Sequence, residues 1–148
     1  SAVGRINAAH GAAVAGPLMF SESCTAFIAA HACEEAKEQA ALALIKATLP
    51  VVTSIDWGRI SQHLETTGVA RERLGHELRA MAAAIGLVPS AVLTIIQADD
   101  AVPALDACLE DWLIHADELD FVDTLFLSAQ DRILIQWDFY KNLHAARF

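Results

Sequence analysis

Histidine, cysteine and carboxylate side chains could bind a metal ion in this chain, and their spacing decides whether they converge. The chain has six histidines and three cysteines. If residues 24–35 are helical, His31 and Glu35 lie one turn apart, with Cys24 two turns before His31 on the same face. His115 precedes Asp120 by five residues. Imidazole, thiolate and carboxylate groups are the usual ligands of zinc and iron.

These two spacings are similar to the HxxxE and HxxxxD motifs of hemerythrin-type di-iron proteins, which bind their irons inside a four-helix bundle. Such proteins place two histidines one helical turn apart between the motifs, whereas His63 and His76 are thirteen residues apart. Cys24, Cys33 and Cys108 form no CxxC pair. We therefore expect no metal centre.

Motifs of nucleophilic and phosphate chemistry are absent from the chain. It has no GxSxG nucleophile elbow and no GxxxxGK[ST] phosphate loop. We expect a protein without catalytic residues, acting by binding.

Each tryptophan has an aspartate neighbour in the sequence. Adjacent helix positions point about 100° apart, so the indole can face a core while the carboxylate stays in water. Large aromatic side chains among abundant alanines could also line a space for a flat apolar ligand. The candidate ligand-binding residues are Trp57, Trp112 and Trp137.

Residues 47–57, ATLPVVTSIDW, resemble a stretch in the helical domain of peridinin–chlorophyll proteins. The shared positions are Ala47, Pro50, Ile55, Asp56 and Trp57. The resemblance implies an all-helical shell around a pigment, which would be the cofactor. The paired histidines that support chlorophyll in that family would fall near residues 99–100, where this chain has two aspartates, so no ligand residue is carried over.

Negative charge is concentrated in the last third of the chain. The net charge is −9, and between Asp99 and Asp131 the chain has acidic residues but no Lys or Arg. Such a surface repels nucleic-acid backbones and attracts basic protein surfaces. We expect a basic protein partner to bind at Asp106, Glu110, Asp111, Asp117, Glu118 and Asp120. A homo-oligomer is a separate alternative.

Residues 78–97, LRAMAAAIGLVPSAVLTIIQ, have the packing pattern of a helix-turn-helix. Ala82 is small enough for a close crossing, Gly86 suits the turn, and Val92 and Ile95 could face a core. The outer face of the second helix lacks the basic and amide side chains that read bases. Arg71, Arg73 and Arg79 could contact phosphates, so a transcription regulator stays a third alternative.

A membrane segment is a further alternative, because residues 80–98 contain no charged side chain. Pro89 and Ser90 interrupt this run, so two helices meeting in a core explain it better. Three cysteines without a pairing pattern indicate buried thiols in a reducing intracellular compartment.

Helix punctuation sets the predicted elements. Ser21 predicts an N-cap, Pro50 ends the helix it begins, and Gly68 and Gly86 predict the ends of two more. Residues 2–16, 89–100, 102–120 and 120–148 are also predicted as helical. We found no convincing strand alternation. The prediction is one all-α domain over residues 1–148, a bundle of about six to eight helices with a helix-turn-helix-like corner and an acidic third at 99–148.

Overall fold

The chain folds as a mixed α/β protein, in which helices pack on both faces of an antiparallel sheet. The computed structural model describes residues 20–120 and 123–148. Within them, the helices are α1 (Glu22–His31), α2 (Glu35–Thr48), α3 (Leu74–Ile85), α4 (Leu109–Leu113) and α5 (Ala116–Leu119). The strands are β1 (Leu64–Thr66), β2 (Leu93–Gln97), β3 (Leu105–Ala107), β4 (Thr124–Ser128), β5 (Ile133–Trp137) and β6 (Leu143–Arg147).

The six strands form one sheet in the order β1-β6-β5-β4-β2-β3. Every neighbouring pair is antiparallel, and β4, β5 and β6 follow one another as consecutive hairpins. The three-residue strand β1 forms one edge of the sheet through its pairing with β6, where Glu65 lies opposite His144.

The sheet separates two hydrophobic cores. One core joins α1, α3 and α4 to alternate residues of the strands, among them Ile95, Phe126 and Ile135. The other joins α2 and the segment around Trp57 to the intervening residues, among them Ile96, Leu127 and Leu134. We call these two sides of the sheet the α3 face and the α2 face.

The prediction of an all-α bundle is wrong, and burial on both faces explains the error. A strand with one wet face alternates between apolar and polar residues, whereas a strand covered on both faces is apolar almost throughout. All five residues of β2, Leu-Thr-Ile-Ile-Gln, are buried, and four of the five in β5 are buried. Such runs predict helix from sequence, because the period of two that marks a strand is absent.

The helix-turn-helix-like corner is also wrong, because its second helix is strand β2. Its first helix is correct: α3 ends at Gly86, whose φ of 88° is left-handed. The Leu87 N–H donates to the Ala82 carbonyl at 2.8 Å, which closes the helix terminus. A strand then follows, because Leu93 and Ile95 enter the α3-face core while Thr94 and Ile96 face α2.

Other predicted helices are interrupted or replaced. Ser21 caps α1 as predicted, and α2 stops at Thr48 before Pro50, but the predicted single helix breaks between His31 and Glu35. There the Cys33 N–H donates to the Ala104 carbonyl at 2.9 Å, a bond that a continuous helix would prevent. The predicted helix before Gly68 is a short 3₁₀ turn, Trp57–Arg59, followed by β1. Residues 102–120 form β3, α4 and α5, and the predicted C-terminal helices are the β4-β5-β6 hairpins.

The helix predicted for residues 2–16 lies outside the described residues. In the part of the chain that the structure describes, no helix has both the length and the apolar character needed to cross a bilayer.

Candidate metal centre

Three potential metal ligands meet at the β1 edge of the sheet, on its α2 face. Glu65 lies in β1, His63 precedes it by two residues, and His144 lies opposite Glu65 in β6. Residues two apart in an extended segment point to the same face of the sheet. His63 and Glu65 therefore share the face on which His144 of the neighbouring strand lies. Their ligand atoms lie within 4.8 Å of one another.

The distance between two of the ligands already suits a metal ion. Nδ1 of His144 lies 3.4 Å from Oε1 of Glu65. Ligand atoms at the 2.0–2.1 Å typical of zinc stand roughly 3.3 Å apart around a tetrahedral ion. His144 is only 6% exposed, and its Nδ1 makes no hydrogen bond although it is buried. A buried ring nitrogen without a hydrogen bond needs a partner.

Both imidazoles are oriented by hydrogen bonds on their second nitrogen. Nε2 of His144 lies 2.9 Å from Oδ2 of Asp138. Nδ1 of His63 lies 2.8 Å from the Ile60 carbonyl oxygen. Carboxylates and carbonyls only accept, so these two nitrogens carry the protons. In the neutral rings, Nδ1 of His144 and Nε2 of His63 therefore have the lone pairs that a metal requires.

Asp138 is held in place by the β5–β6 turn. Its Oδ1 accepts from the backbone N–H groups of Tyr140, at 2.9 Å, and Asn142, at 3.0 Å. Its Oδ2 is thereby left to accept from His144. A carboxylate behind a ligating histidine is a common feature of metal sites in proteins.

Trp57 covers His144 on one side. The two rings stack with centroids 5.0 Å apart and an interplanar angle of 11°. The indole Nε1 donates to Oε1 of Gln136 at 2.6 Å, which fixes the ring against the sheet. The Glu65 side chain is 46% exposed, so the centre is shielded by Trp57 on one side and open to water near Glu65.

A second group of potential ligands, Cys24, His115 and Glu118, also lies within 4.8 Å. The Glu118 carboxylate is occupied, because it accepts from the backbone N–H and the hydroxyl of Ser21, each at 2.7 Å. Burial raises the pKa of the Cys24 thiol to about 11, with Glu118 and Asp117 adding to the effect. This group ties the start of α1 to α5 and is a poorer metal site than the first.

The histidine patterns noted in the sequence do not converge on one another. Nδ1 of His31 donates to the Asp106 backbone carbonyl at 2.8 Å, and the ring packs against Phe27. Asp120 pairs with Arg71 at 2.7 Å. Neither contact forms part of the His63–Glu65–His144 group.

The six acidic residues predicted to bind a partner are spread over β3, α4 and α5, and four of them have partners within the chain. Asp106 pairs with Lys37 and Glu110 with Arg79, while Asp120 and Glu118 are engaged as described above. Asp111 and Asp117 are exposed. Binding of a basic partner to this surface stays a prediction.

The three arginines considered for phosphate contact all lie in ion pairs. Arg71 pairs with Asp120, Arg73 with Glu77 at 3.0 Å, and Arg79 with Glu110 at 2.8 Å. The first pair joins the 3₁₀ turn before α3 to the end of α5, the second joins that turn to α3, and the third joins α3 to α4.

The three tryptophans predicted to line a ligand space lie on opposite sides of the sheet. Trp57 is buried on the α2 face, and Trp112 and Trp137 are buried on the α3 face. Trp112 packs edge-on against Phe126, with ring centroids 4.9 Å apart. The three indoles thus do not line one common space, because the sheet separates Trp57 from the other two, and their role in ligand binding stays a prediction.

The sequence does not predict the His63–Glu65–His144 group, because it predicts a helix where the chain forms strand β1. In the helix predicted for residues 54–68, His63 and Glu65 would point about 200° apart. The signal was the H-x-E spacing, which puts both side chains on one face of a strand. Nothing local connects that pair to His144, because β1 and β6 are neighbours only in the folded sheet.

Neither a protein-family model nor a curated protein matches this chain.

Proposed function

We propose that this protein binds a divalent first-row transition ion through His63, Glu65 and His144. One observation carries the proposal: the buried Nδ1 of His144 has no hydrogen bond and faces Glu65, while Nε2 is held by Asp138. Two imidazoles and one carboxylate form a ligand set that suits zinc and ferrous iron.

What such a site can do chemically follows from its having three protein ligands. An ion bound by three protein groups keeps at least one coordination position for water or for a donor atom of a second molecule. The metal would lower the pKa of a water molecule bound at that position to about 7. The exposed Glu65 side gives a second molecule access to that position.

A competing explanation is that His144 is doubly protonated and bridges the Glu65 and Asp138 carboxylates without a metal. Both explanations place positive charge at Nδ1 of His144, so a direct measurement of metal binding is needed to distinguish them. Equilibrium dialysis against Zn²⁺, with the bound metal quantified, is the direct measurement. Titration with Co²⁺ adds a visible absorption that reports the ligand number.

The expected result is one tightly bound ion per chain in the wild type. His63→Ala should weaken binding by at least about 100-fold, because one ligand of three is lost. Glu65→Gln should weaken it while keeping the side-chain size. The matched control is His76→Ala, because His76 is an exposed histidine of α3 outside the group.

Affinity that is equal in the wild type, His63→Ala and Glu65→Gln would refute the proposal. Both variants alter side chains that are partly or largely exposed, so they avoid the risk that a change at buried His144 unfolds the chain. Histidine NMR signals of the wild type give an independent check, because only His63 and His144 should shift on addition of Zn²⁺.

A further inference from the structure

A cavity separate from the metal group lies on the α2 face, between α2 and the sheet. It has a volume of about 290 Å³, and twelve residues line it. Its apolar walls come from Leu42, Ile45, Val51, Ile55, Ile96 and Leu125. A cavity of roughly 150 Å³ is enough for a benzene molecule, so this one has room for an aromatic or alkyl group with a polar end.

Asp123 is the acidic group of this cavity. Its Oδ1 is buried and has no hydrogen-bond partner. Burial raises the pKa of the Asp123 carboxyl, and Asp138 acts in the same direction, whereas a hydrogen bond from the Phe139 backbone N–H and the charge of Lys141 lower it. An unpaired carboxylate oxygen beside apolar walls is stabilised by a donor or cation that a ligand brings.

The other polar groups of the cavity are less demanding. Oε1 of Gln136 already accepts from Trp57, so this oxygen is not left without a hydrogen bond. Lys46 also lines the cavity, but it is exposed, and water screens its charge. The buried acceptor that lacks a partner is therefore the feature that selects the ligand.

We infer that this cavity binds a small apolar molecule with a protonated amine, its apolar part between α2 and the sheet and its ammonium group on Asp123. Mostly apolar walls with few polar groups are typical of small-molecule sites. The site differs from the space between tryptophans that the sequence suggested, because none of the three tryptophans lines it.

Three probes of similar size separate charge from shape: 2-phenylethylamine, 2-phenylethanol and 3-phenylpropionate. Binding is measured by isothermal calorimetry, and the site is located from backbone amide NMR shifts of the wild type. We expect 2-phenylethylamine to bind at least about tenfold more tightly than the alcohol, with the carboxylate weakest. Shifts should centre on Ile96, Leu125 and Asp123.

Asp123→Asn should reduce the affinity for 2-phenylethylamine at least about tenfold and leave that for 2-phenylethanol unchanged. The control is Asp111→Asn, which removes the same charge from an exposed position outside the cavity. Ala98→Leu places a larger side chain in the lining and should weaken both probes.

The inference is overturned if the amine and the alcohol bind equally, if the carboxylate binds best, or if no probe shifts the cavity residues. Should Asp123→Asn fail to fold, the ranking of probes and the NMR shifts of the wild type decide the question. None of these measurements depends on metal binding, so the cavity and the metal centre are tested separately.

Discussion

The two carboxylate oxygens of Asp138 have different roles, one in the β5–β6 turn and one at His144. Oδ1 holds the turn through Tyr140 and Asn142, and Oδ2 accepts from Nε2 of His144. The proposed metal centre therefore depends on a residue that does not itself reach the ion. A substitution at Asp138 can therefore change which ring nitrogen of His144 carries the proton while the turn is kept.

We predict that Asp138→Asn lowers the affinity for Zn²⁺ by about 10–100-fold, the usual cost of losing a partner behind a ligand. Asparagine keeps an acceptor oxygen for the turn but presents an NH₂ group to His144. Nε2 must then accept, and the proton moves to Nδ1, where it blocks the metal. Dialysis measures the affinity, and ¹⁵N shifts of His144 report the tautomer.

The matched control for that substitution is Asp131→Asn, because the Asp131 carboxylate also accepts a side-chain bond in a turn, from Ser128. It should leave metal affinity unchanged. If Asp138→Asn binds Zn²⁺ as tightly as the wild type while the tautomer has changed, His144 is not a ligand.

The cysteines should differ in reactivity, because their surroundings differ. Cys24 is fully buried, and its pKa is raised to about 11, while Cys33 and Cys108 are partly exposed. At about pH 8 the Cys24 thiolate is roughly a thousandth of the thiol, and thiolate is the reactive form. We expect iodoacetamide to label Cys108 readily and Cys24 only after unfolding.

Peptide mass spectrometry over a time course measures this labelling, with guanidinium-unfolded protein as the reference in which all three cysteines react. Modification of Cys24 at the rate of Cys108 in native protein would contradict the buried position of Cys24 in α1. Cys33 should be intermediate, because burial and the nearby Asp106 raise its pKa, while Lys37 lowers it.

At the scale of elements, α3 shows two glycines with opposite roles. Gly86 ends the helix at a φ of 88°, and an added Cβ would lie 2.6 Å from Nη2 of Arg147. Gly75 is the second residue of the helix, where an added Cβ has its nearest neighbour at 3.4 Å. One substitution, Gly→Ala, can therefore test both the helix and its end.

We predict that Gly86→Ala lowers the free energy of unfolding by about 1–2 kcal/mol, because a left-handed conformation is strained for alanine. Gly75→Ala should raise it by about 0.4–1 kcal/mol, because alanine has less backbone freedom to lose than glycine when the chain folds. Urea unfolding of both variants measures the difference. Equal effects of the same sign would place the end of α3 elsewhere.

Helix α3 could be predicted from sequence, and strands β2, β4 and β5 could not. The signals of α3 are local: helix-forming residues, apolar spacing and a terminal glycine. The identity of β2 depends on partners far along the chain, since it pairs with β3 and β4. The sequence shows the H-x-E pair His63 and Glu65, but without a predicted strand it does not place their side chains on one face. Their partner His144 lies in the last strand.

At the scale of the whole molecule, some of the negative charge is paired within the chain. The net charge is −9, yet Asp106, Glu110 and Asp120 pair with Lys37, Arg79 and Arg71. Asp120 is the most buried of the three, so its pair fastens α5 to the segment before α3. These pairs connect elements that the sheet alone does not join.

The metal centre should make the stability of the fold depend on Zn²⁺. The proposed ligands join β1, a three-residue edge strand, to β6, and an ion that binds only the folded state stabilises it. At 100 times its dissociation constant, Zn²⁺ should raise the free energy of unfolding by about 2.7 kcal/mol, less any binding to histidines and cysteines of the unfolded chain. Thermal unfolding with Zn²⁺ and with EDTA measures the shift in Tm. The shift should survive in His76→Ala and vanish in His63→Ala; a shift of equal size in both variants would show that zinc acts elsewhere on the chain.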